Sequence, residues 1–121
     1  MGLTTDPNDP CLRVTEADGQ QACYLILSEE ERAKGFVRPV RRSYYHLKCW
    51  SVTSMGQALA ETYARDPKFY GGTFCSACRD HFPVGLILEG GQFVWDDRPE
   101  PPFPDTNEYH LWILGGNEVG V

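Results

Sequence analysis

The chain has 121 residues, 41% of them hydrophobic and 12% aromatic, with a formal net charge of -6. That length suits one domain with a modest core, and the composition excludes a disordered chain. The acidic balance disfavours nonspecific nucleic-acid binding over the whole surface, and no apolar run approaches the roughly 18 residues a membrane span needs.

Residues 1–20 are polar and turn-rich, with Asp6-Pro7-Asn8-Asp9-Pro10 and Asp18-Gly19, and read as a flexible arm with a short edge strand around Leu12–Val14. The start lacks the basic and apolar regions of a signal peptide, so a soluble protein of the cytoplasm is expected. Cysteines there stay reduced, which makes metal a better explanation of paired cysteines than disulfides. Of the five cysteines, Cys11 and Cys23 read as one loop thiol and one core residue.

Cys23-Tyr24-Leu25-Ile26-Leu27 is apolar and β-prone, a buried strand. Ser28-Glu29-Glu30-Glu31 is a capping box that opens a helix of about two turns, stopped by Gly35. The following segment, 36–45, reads as extended. Between Lys34 and Lys48 lie five basic and no acidic residues, a window of +5 against -11 for the rest. Arg38, Arg41, Arg42 and Lys48 are therefore the candidate contacts for a partner or a nucleic acid. In an unbroken strand Arg38 and Arg42 share one face with Val40 and Tyr44, and Arg41 lies on the other with Ser43 and Tyr45. That split favours ion pairing with acidic groups over a continuous phosphate track.

The most informative stretch runs from His46 to His81. His46-Leu47-Lys48-Cys49 and Cys75-Ser76-Ala77-Cys78 are two ligand pairs, each separated by two residues, with 25 residues between them. A short turn aims both side chains of a pair at one ion, and the second pair completes a tetrahedron. Thiolate and imidazole ligands point to zinc, held structurally. His81 competes with His46 for the fourth place. The spacing favours His46, because His81 would crowd three ligands into one turn.

Between the pairs, Thr53 or Ser54 is placed to cap a helix reaching about Arg65, with Met55, Ala58, Leu59, Thr62 and Tyr63 on its core face. Asp66-Pro67 ends it. Beyond His81, Leu86-Ile87-Leu88 and Gln92-Phe93-Val94-Trp95 flank Glu89-Gly90-Gly91 as a C-terminal β-hairpin. Arg98–Pro104 is too proline-rich for a central strand, and Tyr109–Leu114 reads as a terminal strand. The expected fold is a small zinc-stabilised α+β domain, with a short mixed or antiparallel sheet, one two-turn helix and one longer helix. Its zinc-binding part spans 21–97, and a proline-rich connector and last strand over 98–121 pack on the same domain.

Ser28–Tyr44 with His46 and Cys49, Met55–Ala58, Glu61–Gly71 and Thr73–Cys75 resemble a group of small uncharacterised proteins encoded by bacteriophages and prophages. The resemblance covers about residues 24–97, and the stretch after Trp95 departs from the short ending of that group. It implies a phage product in the bacterial cytoplasm, with His46, Cys49, Cys75 and Cys78 as its zinc site, and it carries no activity. Enzyme motifs are missing: there is no His-x-Glu deaminase arrangement, phosphate loop or Gly-x-Ser-x-Gly elbow. The expectation is a non-catalytic protein that binds, and inhibits or redirects, a bacterial host protein. Nucleic-acid binding through the basic segment, with Tyr44, Tyr45 and Trp50 as stacking aromatics, is the second reading.

Overall fold

A computed structural model describes residues 2–85, 90–96 and 113–114. The chain is α+β. In order, the elements are β1 (Gly2–Thr4), a 3-10 turn (Pro10–Arg13), β2 (Cys23–Leu25), α1 (Glu29–Arg32), β3 (Ser43–His46) and β4 (Val52–Ser54). They are followed by α2 (Gln57–Arg65), β5 (Gly72–Cys75), β6 (Asp80–Pro83) and β7 (Phe93–Trp95). Among the described residues the strands form three small sheets: β1 parallel to β2, the antiparallel set β4-β3-β7, and the antiparallel hairpin β5-β6.

The first twenty residues are not the flexible arm expected from their composition. β1 pairs with β2 from Gly2↔Cys23 to Thr4↔Leu25, and Leu12–Val14 contributes to a 3-10 turn, not an edge strand. Asp9 caps that turn, accepting from the Cys11 N–H, and Pro10 supplies the fixed φ that favours a helical first position. Cys11 and Cys23 form a disulfide, with Cα atoms 5.4 Å apart. The reading of one loop thiol and one core residue is corrected accordingly: Cys23 is in the core, and Cys11 is bonded to it.

α1 begins where the capping box placed it, with the Ser28 hydroxyl accepting from the Glu31 N–H at 3.1 Å. Hydrogen bonds from Lys34 and Gly35 to the Glu31 and Arg32 carbonyls prolong the coil until Gly35, at φ +111, turns it out. α2 starts later than expected. Val52–Ser54 is taken up as β4, pairing Ser43↔Ser54 and Tyr45↔Val52, and Gly56 caps the helix without a side-chain bond. Cross-strand pairing outweighs the capping propensity of Thr53 and Ser54.

The inward face of α2 carries the expected stripe, with Thr62 and Tyr63 buried together with Ala60 and Ala64. Thr62 Oγ1 donates to the Ala58 carbonyl at 2.8 Å and accepts from the Leu27 N–H at 3.2 Å, which ties the segment after β2 to the helix. The core joins α2 to the sheet through Tyr44, Met55, Tyr63, Phe93, Trp95 and Leu114. Its rings meet edge to face, Tyr44 on Phe93 at 5.4 Å and Tyr63 on Trp95 at 5.6 Å. Each such pair is worth about 1 kcal/mol beyond the area it buries.

β7 pairs with β3, Tyr44↔Trp95 through His46↔Phe93, and Ile113 bridges Val94 on its other side. The partner strand proposed for a C-terminal hairpin, Leu86–Leu88, lies outside the described residues. So do the proline-rich run and most of Tyr109–Leu114, of which Ile113 and Leu114 are described and buried. No helix among the described residues is long and apolar enough to cross a membrane.

Candidate metal centre

Two hairpin turns carry the four ligand residues. β3 ends on His46, the chain turns through Leu47–Cys49, and β4 resumes at Val52. β5 ends on Cys75, turns through Ser76–Cys78, and β6 resumes at Asp80. The two turns are built alike. The Trp50 N–H donates to the His46 carbonyl at 2.7 Å and the Arg79 N–H to the Cys75 carbonyl at 2.8 Å. Trp50 and Arg79, the residues after the second ligand of each pair, both adopt φ +57. Only that left-handed residue lets the chain leave the turn and re-enter a strand. For non-glycine residues it costs about 1–2 kcal/mol.

The turns face one another, and Thr53 braces them: its Oγ1 accepts from the Ser76 N–H at 3.1 Å. His46 Nδ1 and the Sγ atoms of Cys49, Cys75 and Cys78 all lie within 4.8 Å of one another. Three of the separations are His46 Nδ1 to Cys49 Sγ at 3.3 Å, Cys49 Sγ to Cys75 Sγ at 3.5 Å, and Cys78 Sγ to His46 Nδ1 at 3.6 Å. Zinc–ligand bonds of about 2.3 Å for sulfur and about 2.0 Å for nitrogen put tetrahedral corners about 3.5–3.8 Å apart. The cluster therefore has the size of a tetrahedral metal site.

The imidazole of His46 is held for that role. It is buried, with its ring packed against Phe82 at 4.5 Å and Phe93 at 4.9 Å, two rings that also meet each other at 6.5 Å. Its Nε2–H donates to Gln92 Oε1 at 2.7 Å. An amide oxygen only accepts, so the proton sits on Nε2 and the lone pair of Nδ1 faces the sulfurs. Gln92 is fixed in turn, because its carbonyl accepts from the Leu47 N–H at 2.8 Å.

The thiols are unequal. A hydrogen bond from the Ser51 backbone lowers the Cys49 thiol to about 6. Cys78 is pushed up to about 11, by lost hydration on its inward side and by hydrogen bonding with Cys75 and Cys49. Three thiols this close cannot all ionise against one another, and a divalent cation is what would let them.

His81 is not part of the cluster. In the β5–β6 register Phe74 pairs with His81 and Cys75 with Asp80, and neighbouring residues on a strand point to opposite faces. His81 thus projects away from Cys75, where its Nε2 shares a hydrogen bond of 2.8 Å with the Tyr24 hydroxyl. Desolvation lowers its pKa. The one other close grouping of ligand types among the described residues is Asp9 with Cys11 and Cys23, whose sulfurs are already bonded to each other.

The basic segment does not form the alternating strand, because residues 36–42 are irregular and β3 begins at Ser43. The Arg41 guanidinium lies over the Trp95 ring, 4.9 Å from its centre. Arg42 Nε donates to the Met55 carbonyl and Arg38 Nη1 to the Val37 carbonyl. Lys48 sits exposed on the first ligand turn. These four cations point to separate places. Gln92, the packing of Phe82 and Phe93 on His46 and the Cys11–Cys23 bond had no signal in the sequence, because each joins residues through the fold and not through a motif.

No family model, no curated protein and no solved structure matches the chain.

Proposed function

We propose that His46, Cys49, Cys75 and Cys78 hold one zinc ion, and that this ion locks two turns into a surface that binds a protein partner. The observation that carries the reading is the ligand cluster itself, with tetrahedral spacing and an imidazole oriented by Gln92. Four protein ligands leave zinc no open position for water or substrate, so its work is structural. The ligating groups are deprotonated in the bound state, and the binding free energy is folding free energy for the two hairpins.

The surface is set by the first ligand turn. Trp50 is 55% exposed at φ +57, and Val52 is 51% exposed. Val52 lies directly opposite Tyr45 across β3–β4, and the Tyr45 ring is 6.3 Å from that of Trp50. A glycine would take the same backbone conformation without strain. The exposure of a tryptophan is explained if its ring is what the turn presents, since tryptophan and tyrosine dominate binding hot spots. The partner that fits is a protein with an apolar pocket and an acidic group at its rim, to meet the exposed Lys48 beside the tryptophan. By the resemblance to phage products, that partner is a bacterial host protein. Capture of one defined bacterial protein by the zinc-loaded chain, lost with Trp50→Ala while zinc content stays at one equivalent, tests the reading. Capture unaffected by Trp50→Ala would remove this surface from it.

A further inference from the structure

The three cysteines with free thiols are unequally accessible. Cys49 and Cys78 are exposed, whereas Cys75 is 0% exposed. Cys11 and Cys23 are already joined and have no thiol to give. Susceptibility to oxidation follows thiolate character and exposure, and a sulfenic acid becomes a disulfide where a second sulfur stands beside it. Cys49 meets both conditions. The first ligand turn carries it to the surface, and its Sγ lies 3.5 Å from the Sγ of Cys75.

A disulfide needs its two sulfurs at about 2.0 Å, so the gap left to close is about 1.5 Å. The turns that carry the pair are held facing one another, with Thr53 Oγ1 on the first hairpin accepting from the Ser76 N–H on the second. Burial protects Cys75 from being struck first, and its position lets it attack whatever forms on Cys49. We propose that Cys49 and Cys75 are a peroxide-reactive dithiol, in which a hydroperoxide oxidises Cys49, Cys75 closes a disulfide across the two turns, and the zinc leaves.

With hydrogen peroxide, the Cys49 thiolate attacks one oxygen, the O–O bond breaks, and a sulfenic acid and hydroxide result. The Cys75 thiolate then attacks the Cys49 sulfur, the S–O bond breaks, and a second hydroxide departs. Two electrons pass from the two thiolates to the peroxide, and each hydroxide takes a proton from solvent. His46 and Cys78 remain, two ligands where four held the ion. The inference rests on the zinc reading above and adds its regulation. Trp50 follows Cys49 directly, so drawing Cys49 toward Cys75 displaces the indole that the first turn offers to a partner.

The test adds hydrogen peroxide to the zinc-loaded full chain, with a chromogenic chelator present and no thiol reductant. Metal analysis before the addition reads the zinc site by itself. About one zinc per chain should then be released. Proteolysis and mass spectrometry should find the Cys49 and Cys75 peptides joined, in proportion to the zinc set free. Absence of zinc before peroxide would defeat the metal reading and this proposal with it. Zinc present at the start would confine any failure to the proposal. It would be overturned by release with Cys75 joined to Cys78, with Cys49 carried on to sulfinic acid, or with no disulfide. Zinc retained through a large excess of peroxide would overturn it equally.

Discussion

The Nε2 of His46 donates to the side-chain oxygen of Gln92 at 2.7 Å, across 46 residues of sequence. That one bond decides which imidazole nitrogen is left for a metal. Gln92→Ala should leave the tautomer unspecified and weaken zinc about 10- to 100-fold in competition with a chromogenic chelator. Gln92→Glu, which still accepts, should keep affinity near the parent value. Equal zinc affinity in Gln92→Ala and the parent would show that packing against Phe82 and Phe93 alone orients the ring.

The Cys11–Cys23 bond closes a loop over a sequence separation of 12. Loop-closure entropy for a ring of that length corresponds to about 3 kcal/mol. Cys11→Ser should lower the urea unfolding free energy by about that amount and leave the zinc content unchanged. The same loss should appear on mild reduction of the parent, and a reducing cytoplasm would remove this clasp. Loss of zinc in Cys11→Ser would mean that the two halves of the molecule are coupled.

Gly19 adopts φ +94, and a Cβ placed there would collide with the carbonyl of Arg79 on the second ligand turn. The N-terminal loop is thus in close backbone contact with the second ligand turn. Gly19→Ala should destabilise by about 1–3 kcal/mol, combining backbone strain with displacement of the turn. Amide exchange measured at Cys78 and Arg79 should rise in this variant, and unchanged exchange there would contradict the contact.

His81 titrates below its ordinary 6.5, chiefly because burial disfavours the imidazolium. In the folded protein its Nε2 lies 2.8 Å from the Tyr24 hydroxyl. Below about pH 6.5 the unfolded chain takes up a proton that the folded chain refuses. Stability from this group is therefore complete above that pH and is lost as the pH falls toward the folded value. Thermal midpoints between pH 7.5 and 5 should fall less in His81→Gln than in the parent. Acid release of zinc affects both proteins, so the difference isolates His81. Parallel pH profiles would contradict the assignment.

Arg38, Arg41 and Arg42 are turned to separate local contacts, and the chain carries -6. Random duplex DNA should accordingly bind no tighter than about 10 μM at physiological salt. Submicromolar binding, lost in an Arg38, Arg41 and Arg42 triple alanine variant, would make nucleic acid the leading partner.

Chemistry confined to a few neighbouring residues was readable in the sequence. The two spaced pairs marked four residues that the fold brings into one cluster, Ser28 and Glu31 marked the start of α1, and the α2 stripe marked a buried face. What escaped reading depends on encounters between distant segments. Thr53 and Ser54 have the residue types of a helix cap, but β3 recruits them because His46 and Cys49 form a hairpin turn. Phe93 was legible as strand and Ser43–Tyr45 as extended chain, while the pairing of the two was not. The disulfide was discounted because compartment was used to judge cysteines whose Cα atoms the fold brings to 5.4 Å.

Metal analysis of protein purified under reduction and without chelator tests the central claim most directly. The parent should hold about one zinc per chain, and His81→Ala should hold the same. His46→Ala, Cys49→Ser, Cys75→Ser and Cys78→Ser should each lose it. No metal in the parent, or zinc lost with His81→Ala and kept with His46→Ala, would contradict the four-ligand site.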